Sequence, residues 1–440
     1  MYRHFSKPII SAVLALLTGA SAANAAQTYT LESALETAYQ QSPALQKLEA
    51  QRDEYKWKNA EGLSVFIPSV GLSANHYFEK QYQLLDVSIG NGPNVEIPQI
   101  FPTSSGNISA KWLLFDGLAN VNTYRAGHNM KEAGEKEYAW AHFQLERQVT
   151  MAYARVIAAK KLDDVAVEDL KTLENHLKQV NDLKKGGLAT NYDVLRVESQ
   201  LSEAQTELIE AQDNIAIAQD RLGQSMGLSE PADSAPEADL LVPSAEKVKN
   251  LTYNQQQNNR LDLQALSNRV EASDLMQAGD NRRFWIPKFG MVADYIKYNN
   301  LTDPLTDWNN YRNAWDVGFY LTWDIFNPRQ FTQARQEKYQ AVQQQKSLVS
   351  ANQAAPVDFD FWKKRYLYSA SLYQAKSIDL NRATETVRLA QAGFKAGVRT
   401  TTDVLDAELD LFRARAGVVN AMMNATEAKE QLELALGESL

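Results

Sequence analysis

The sequence has no cysteine among its 440 residues, and this absence excludes several kinds of chemistry. Disulfide bonds cannot form, no thiolate can act as a nucleophile or metal ligand, and no N-terminal cysteine can carry a lipid. Histidine is scarce as well. Its five copies stand far apart, at positions 4, 76, 128, 142 and 176, so they indicate no metal site.

Long apolar runs are also missing. Beyond residue 25 no stretch of 18 apolar residues occurs, so the sequence predicts no transmembrane helix. Strands could still enter a membrane, because their signal per segment is weaker. The net charge of −9 argues against nucleic acid as a partner.

Residues 1–25 have the features of a signal peptide. Arg3 and Lys7 give a basic start, and Ile9–Leu17 is an apolar run too short to span a membrane. Ala23–Ala25 is a small-residue cleavage site. We therefore expect an exported, bacterial mature chain.

Proline is absent between residues 102 and 231 and again after residue 356. Both segments are rich in Ala, Gln, Glu, Lys and Leu, which favour helices. We predict four long helices at 119–185, 191–227, 329–395 and 402–438, and shorter ones at 31–66 and 251–284. The longest would extend about 100 Å, so each long pair should pack as an antiparallel, coiled-coil-like hairpin. Pro356 should kink the third long helix.

One segment occurs twice, 210 residues apart. Gly187–Leu195 and Gly397–Leu405 share Gly, Thr, Asp, Val and Leu at five of nine positions. This spacing is far too long for a solenoid repeat. It predicts a duplicated half, with a first repeat at 26–228, a linking segment at 229–250 and a second repeat at 251–440.

Alternating apolar and polar residues predict four β-strands, one pair in each repeat. We place the strands at about 69–80, 106–115, 289–298 and 315–326, with long polar loops at about 81–105 and 299–313. A membrane wall of such strands would carry aromatic girdles at Tyr77, Phe78, Trp112, Tyr298, Trp308 and Trp323. Four strands cannot close a barrel, and lipid forbids an open edge, so at least two copies of the chain are needed.

Four groups of residues together carry a family resemblance. They are Leu31–Leu35 with Ser42–Leu45, Leu114–Gly117, and the two Gly-x-x-Thr…Asp-Val-Leu segments. With these, the mature chain resembles the TolC-like outer membrane efflux protein family. The resemblance implies a mainly α fold with a membrane β-barrel. A homotrimer would share one 12-stranded outer-membrane β-barrel, with four strands from each protomer, and its long antiparallel helical hairpins would form a periplasmic α-barrel. The segment 229–250 would lie at the equator of the α-barrel.

The same resemblance implies a passive duct without cofactor or catalysis. It would lie in the outer-membrane lipid of a Gram-negative bacterium and extend far into the periplasm. A periplasmic adaptor protein and a proton-driven or ATP-driven inner-membrane pump would be its partners, as in tripartite efflux or type I secretion. Drugs, organic solvents, metals and polypeptides all fit such a duct as cargo.

The two repeated segments should form the turns between the long helices. Gly187 and Gly397 would end one helix at positive φ, and Thr190 and Thr400 would cap the next. By resemblance, the same turns form periplasmic tips that dock the adaptor. The predicted docking residues are Gly187, Leu188, Ala189, Thr190, Gly397, Val398 and Thr400.

Several residues near the tips match the entrance of the family's pore. Asp403 and Asp406 match aspartates at the closed end, where crowding in a trimer would raise their pKa values or recruit a cation. Arg399 matches a gating arginine, with Asp193 and Tyr192 as partners on a neighbouring hairpin. Phe394 stands where well-studied members carry tyrosine, which removes one polar tie. The plainer alternative is that aspartates at a helix start only interact with its dipole.

Two other classes of function are weaker. A periplasmic adaptor would have one hairpin and an inner-membrane anchor, whereas this sequence predicts two hairpins and no anchor. An enzyme would need a catalytic motif, and none of the common nucleophile, metal or phosphate-binding motifs is present. Asp403 and Asp406 share a helix face, but no His or Lys close in sequence completes a catalytic set.

Overall fold

The computed structural model describes residues 26–78, 82–88, 90, 92, 95–100, 104–254, 259–299 and 311–440. The predicted signal peptide and Trp308 lie outside these residues, as does most of the predicted loop 299–313. The helices are α1 (Leu31–Gln41), α2 (Pro43–Ser64), α3 (Ala119–Lys185), α4 (Asn191–Ser225), α5 (Glu246–Lys249), α6 (Leu261–Trp285), α7 (Pro328–Lys395) and α8 (Thr401–Leu436). The strands are β1 (Gln27–Tyr29), β2 (Ser69–His76), β3 (Tyr82–Val87), β4 (Val95–Ile100), β5 (Ser104–Phe115), β6 (Ala232–Ser234), β7 (Lys288–Asn299) and β8 (Arg312–Thr322).

The four long helices α3, α4, α7 and α8 follow the predicted ranges to within two residues at each end. Helix α7 is continuous through Pro356. The proline removes one backbone donor there, but it does not end the helix. Among the described residues, no helix is both long and apolar enough to cross a membrane.

Two shorter helices differ from the prediction. The helix expected at 31–66 is broken between α1 and α2, because Ser42 is extended, with ψ at 114°. The following Pro43 disfavours helical backbone in the residue before it. The helix expected at 251–284 begins only at Leu261, after Arg260 with extended backbone. Asp262 then lies in the first turn, where the helix dipole stabilises a negative charge.

The four predicted strands form one antiparallel sheet in the order β2-β5-β7-β8. Its register places Val70 opposite Ala110 and Ala293 opposite Val317. The central pair β5 and β7 joins strands from the two repeats, so the sheet is continuous across the duplication. Strand β8 lies earlier than predicted, and Trp323 follows its end.

The loop predicted at 81–105 is not simply a loop. Strands β3 and β4 form an antiparallel hairpin within it, with Leu85 opposite Ile97 and Val87 opposite Val95. These β-branched and apolar residues favour strand pairing over the polar loop that we expected.

The chain divides into two compact units that cut across the duplication. One unit comprises Met1–Gln46, His142–Asn258 and Asp358–Leu440, and the other comprises Lys47–Ala141 and Asn259–Val357. Each unit therefore takes segments from both predicted repeats. The repeats are defined by sequence similarity along the chain. The compact units are defined by packing, and each contains equivalent segments of both repeats.

Within the first unit, the linking segment 229–250 packs on the long helices. Val248 belongs to a buried cluster with Phe359, Tyr366 and Leu432. The Tyr366 hydroxyl donates to the carbonyl of Ser244 over 3.1 Å. The segment is thus fixed against α7 and α8 by an apolar cluster and a hydrogen bond.

A buried charge cluster also lies in this unit. The guanidinium of Arg147 contacts the carboxylates of Glu430 and Glu433, both at most 2% exposed. Lys429 approaches Glu433 within 2.7 Å. Opposite charges and hydrogen bonds offset the desolvation of these buried groups.

Candidate functional site

Both turns between the long helices have the same backbone. Gly187 and Gly397 adopt φ of 76° and 73°, in the left-handed region that favours glycine. The residue after each glycine, Leu188 or Val398, donates its N–H five residues back over 2.9 Å. Each glycine N–H donates three residues back, which completes a Schellman motif. The predicted glycine C-caps are confirmed.

Each following helix begins with a reciprocal capping box. The N–H of Asp193 donates to the Thr190 hydroxyl over 3.2 Å, and the N–H of Thr190 donates to the Asp193 carboxylate over 2.8 Å. Thr400 and Asp403 repeat both distances. The predicted threonine caps are confirmed, and two orphan donors are satisfied at each helix start.

The capping boxes change the electrostatics that we expected at Asp403. Its backbone and side-chain hydrogen bonds with Thr400 lower the pKa of its carboxyl. The pKa of Asp193 is lowered in the same way, first by the Thr190 hydroxyl. Within one protomer, these bonds to the carboxylate favour its charged form, and the rise in pKa expected from crowding in a trimer stays a prediction.

Side chains at the turns point outward. Leu188 is 80% exposed, Val398 77% and Tyr192 68%. Isolated exposed apolar residues are ordinary on protein surfaces. Here they lie on two capped turns that share the same backbone conformation.

Arg399 does not contact Asp193 within the protomer. Its Nη1 lies 3.9 Å from Oδ1 of Asp403, four residues along the same chain. One Asp193 oxygen is held by the backbone and hydroxyl of Thr190. The pairing of Arg399 with Asp193 of a neighbouring hairpin therefore stays a prediction.

A different arginine joins the two hairpins. Arg196 on α4 donates from Nη1 to the Thr402 hydroxyl over 3.0 Å, and its Nη2 lies 3.5 Å from Oδ1 of Asp406 on α8. Sequence analysis missed this residue. A signal was present, because Arg196 and Asp406 occupy equivalent positions in the two repeats, 210 residues apart.

Phe394 faces the helix core. It packs against the apolar clusters that contain Val180, Leu405 and Val404. Its ring centroid lies 5.9 Å from that of His176. Phenylalanine therefore suits this position, where its ring packs on apolar side chains and on the ring of His176.

A buried polar group lies beside Phe394. Nδ1 of His176 and a carboxylate oxygen of Glu408 are 2.9 Å apart, and Gln391 donates to the other carboxylate oxygen over 3.0 Å. His176 and Glu408 are at most 4% exposed. Sequence analysis missed this group, which connects α3, α7 and α8.

Asp169 on α3 lies close to this polar group. Burial, followed by the charges of Glu207 and Glu408, raises the pKa of the Asp169 carboxyl to about 6. Arg415 offsets part of this effect. Like charges therefore accumulate in this part of the helix bundle.

The residues of the two turns form polar surfaces with several ion pairs. Within the described ranges, no group of three or more His, Asp or Glu side chains is placed to hold a metal ion. Asp403 and Asp406 each have an arginine nearby within the protomer.

Solved structures with the same fold include outer-membrane proteins. VceC from Vibrio cholerae is 17% identical with a TM-score of 0.74, covering 93% of this chain and 96% of its own. The MtrE outer membrane channel of Neisseria gonorrhoeae, in its open state, is 18% identical with a TM-score of 0.73, covering 93% and 89%. CusC is 15% identical with a TM-score of 0.77, covering 99% of both chains. The comparison with curated proteins gave no match.

The sequence profile described as outer membrane efflux protein matches residues 34–228 and 252–438. These ranges contain both hairpins, all four strands of the main sheet and both capped tips. The function is that of an efflux duct in the outer membrane of a Gram-negative bacterium, with a helical extension in the periplasm. The family is a class of channels rather than of enzymes. The chain belongs to the outer membrane efflux protein family.

Proposed function

We propose that the chain forms a homotrimeric exit duct of a tripartite efflux or type I secretion system. A periplasmic adaptor would dock on its helix tips, and an inner-membrane pump would supply the energy. The observation that carries this proposal is the open four-stranded sheet.

The sheet needs further strands on both sides. Among the described strands, β2 and β8 each pair with only one neighbour in this sheet. Both carry exposed apolar side chains, such as Leu72 at 80% and Phe319 at 69%. In lipid an unpaired edge is strongly unfavourable. Three copies would supply 12 strands, an even number that suits an outer-membrane barrel.

The long helices support lateral association as well. Helix α8 has 15 buried residues along its length, whereas α4 has 7. Apolar side chains stay exposed along α4 and α7, including Leu195, Ile209, Tyr339, Phe361 and Leu389. Burying them against neighbouring copies would favour association, at about 25 cal/mol per Å².

The trimer is tested by measuring the mass of the purified protein in detergent. Light scattering corrected for detergent should give three chains per particle. A folded monomer would overturn the proposal, because its sheet edges would have to be stable in detergent without partners. In a trimer, cross-linking between β2 of one chain and β8 of another would show whether these edges meet.

Both tips are proposed to dock the adaptor, through Gly187, Leu188, Ala189, Thr190, Gly397, Val398 and Thr400. Gly397→Val should abolish export, because a β-branched residue is strained at positive φ and the docking turn would be distorted. The trimer should stay intact, since the sheet edges and long helices that would hold it are unchanged. Gly397→Asn is the matched control, since asparagine tolerates this conformation. A Cβ meets no atom within 4 Å at either glycine, so crowding inside the protomer would not confuse the result. Normal export by Gly397→Val would leave only the capping role.

The pore entrance is proposed to include Tyr192, Asp193, Phe394, Arg399, Asp403 and Asp406. In a trimer, Asp403 and Asp406 would form two rings of three carboxylates that attract cations. Asp403→Ala combined with Asp406→Ala should remove block by divalent cations in planar bilayers and weaken cation selectivity. Unchanged block and selectivity would mean that both aspartates only stabilise a helix start.

A further inference from the structure

The duplicated segments carry opposite charges at one pair of equivalent positions. Arg196 in the first repeat and Asp406 in the second each follow the shared Asp-Val-Leu sequence directly. The duplication has thus placed opposite charges at equivalent sites. In the folded protomer these equivalent residues lie within 3.5 Å of each other, on helices α4 and α8.

Arg196 contacts two groups on the facing hairpin. One guanidinium nitrogen donates to the Thr402 hydroxyl over 3.0 Å, and the other lies 3.5 Å from Asp406. The planar guanidinium can hold two acceptors at once, whereas a lysine ammonium is a point charge on a flexible stem. The Arg196 side chain is 37% exposed and the Asp406 side chain 66%, so the pair faces solvent.

The two entrance aspartates therefore have different partners. Asp403 is held by its own helix start, through the backbone and hydroxyl of Thr400. Asp406 is paired with the guanidinium of Arg196 on the other hairpin. Arg196 also contributes to the lowered pKa of Asp193 on its own hairpin, so its charge acts on both tips.

We propose that Arg196 is a further specificity-determining residue of the entrance, because it balances the charge of Asp406 and so sets the entrance's affinity for divalent cations. This inference rests on the proposed entrance. With Arg196 in place, the ring of Asp406 carboxylates in a trimer is matched by three guanidinium groups. Loss of Arg196 leaves three uncompensated negative charges there. The ligand class is a hydrated divalent cation such as Mg²⁺, which binds through carboxylates while keeping much of its water.

The first experiment compares single-channel recordings of wild type and Arg196→Gln in planar bilayers. Arg196→Gln should lower the Mg²⁺ concentration for half-block by about threefold, since exposed ion pairs have modest energies. It should also shift the reversal potential toward greater cation selectivity. Arg388→Gln is the matched control, because Arg388 is an exposed arginine paired with Glu385 on its own helix. An unchanged Mg²⁺ block in Arg196→Gln would overturn the inference.

A second variant separates charge from structure. Arg196→Gln combined with Asp406→Asn removes the ion pair but restores the net charge of wild type at this level. If charge balance is the cause, block and reversal potential should return toward the wild-type values. If Arg196 only ties the hairpins together, the double variant should stay as altered as Arg196→Gln, which would also overturn the inference.

The alanine variants distinguish this inference from the proposed entrance. If Asp403→Ala with Asp406→Ala leaves block and selectivity unchanged, the entrance itself is wrong. If that variant removes block while Arg196→Gln changes nothing, only the role of Arg196 fails.

Discussion

The two repeats build the same backbone at their tips and place side chains in different surroundings. Their capping boxes agree to 0.1 Å in the two backbone hydrogen bonds, and their glycines differ by 3° in φ. Yet Glu198 is exposed, whereas its counterpart Glu408 is 4% exposed. The turns, which depend on local residues, are alike in both halves, whereas the long helices have different neighbours. Equivalent positions can therefore serve as each other's controls.

The largest difference is expected between Glu408 and Glu198. Glu408→Ala leaves His176 and Gln391 without their buried partner, which should lower the free energy of unfolding by about 3 kcal/mol. Glu198→Ala removes an exposed side chain and should change it by less than about 0.5 kcal/mol. Denaturant or thermal unfolding of the two detergent-solubilised variants measures the contrast. Equal effects would show that the buried hydrogen bonds contribute nothing beyond helix propensity.

This comparison shows where sequence reasoning succeeds. The turns at Gly187 and Gly397 were predictable, because glycine, threonine and aspartate act within a few residues of one another. The long helices were predictable from composition and, except in α7 with its Pro356, from the lack of proline. The bond between His176 and Glu408 was not, because the residues lie 232 positions apart and the equivalent glutamate, Glu198, is exposed.

The features that were mispredicted or missed also depend on contacts or local rules that composition and alternation do not reveal. The break at Ser42 follows from the proline after it, a local rule that composition outweighed in the prediction. The pairing of β5 with β7 required the tertiary arrangement, since alternation identifies strands but not their neighbours. Arg196 was overlooked because an arginine on a solvated helix is common, and only the register between repeats gives it a partner.

A second, smaller contrast concerns Asp169 and its counterpart Asp379. Burial and nearby carboxylates raise the pKa of Asp169 to about 6, whereas Asp379 is exposed and lies 4.0 Å from Lys376. Because the folded pKa exceeds the unfolded value, protonation favours the folded state, and stability is lost as pH rises from about 4 through 6. Asp169→Asn should therefore stabilise the protein at pH 8, and its gain should vanish near pH 4.

The control for Asp169 is Asp379→Asn, which should not share this pH dependence because it changes an exposed residue. Thermal midpoints of both variants at pH 4, 6 and 8 decide the matter. A gain for Asp169→Asn that does not depend on pH would mean that packing, and not ionisation, causes it.

The capping threonines should give equal effects in the two repeats. Thr190→Ala and Thr400→Ala each remove a hydroxyl that accepts an N–H bond, at a cost of about 1 kcal/mol. Replacement by serine should retain most of the stability. Unequal losses would show that one of these hydroxyls acts in an interface as well as in the cap. Hydrogen exchange at the first turns of α4 and α8 would measure each cap separately.

The smallest energetic effect is expected at Arg399, whose counterpart in the first repeat is Ala189. Arg399 lies 3.9 Å from Asp403 with a side chain 60% exposed, and exposed pairs contribute about 0–1 kcal/mol. One such contact cannot hold a passage closed, whereas three in the proposed trimer would act together. Arg399→Ser should raise single-channel conductance, most at low ionic strength, where charges are screened least. Ala189→Ser is the matched change at the equivalent tip and should leave conductance as in wild type. If Arg399→Ser conducts like wild type at every salt concentration, closure does not depend on this arginine.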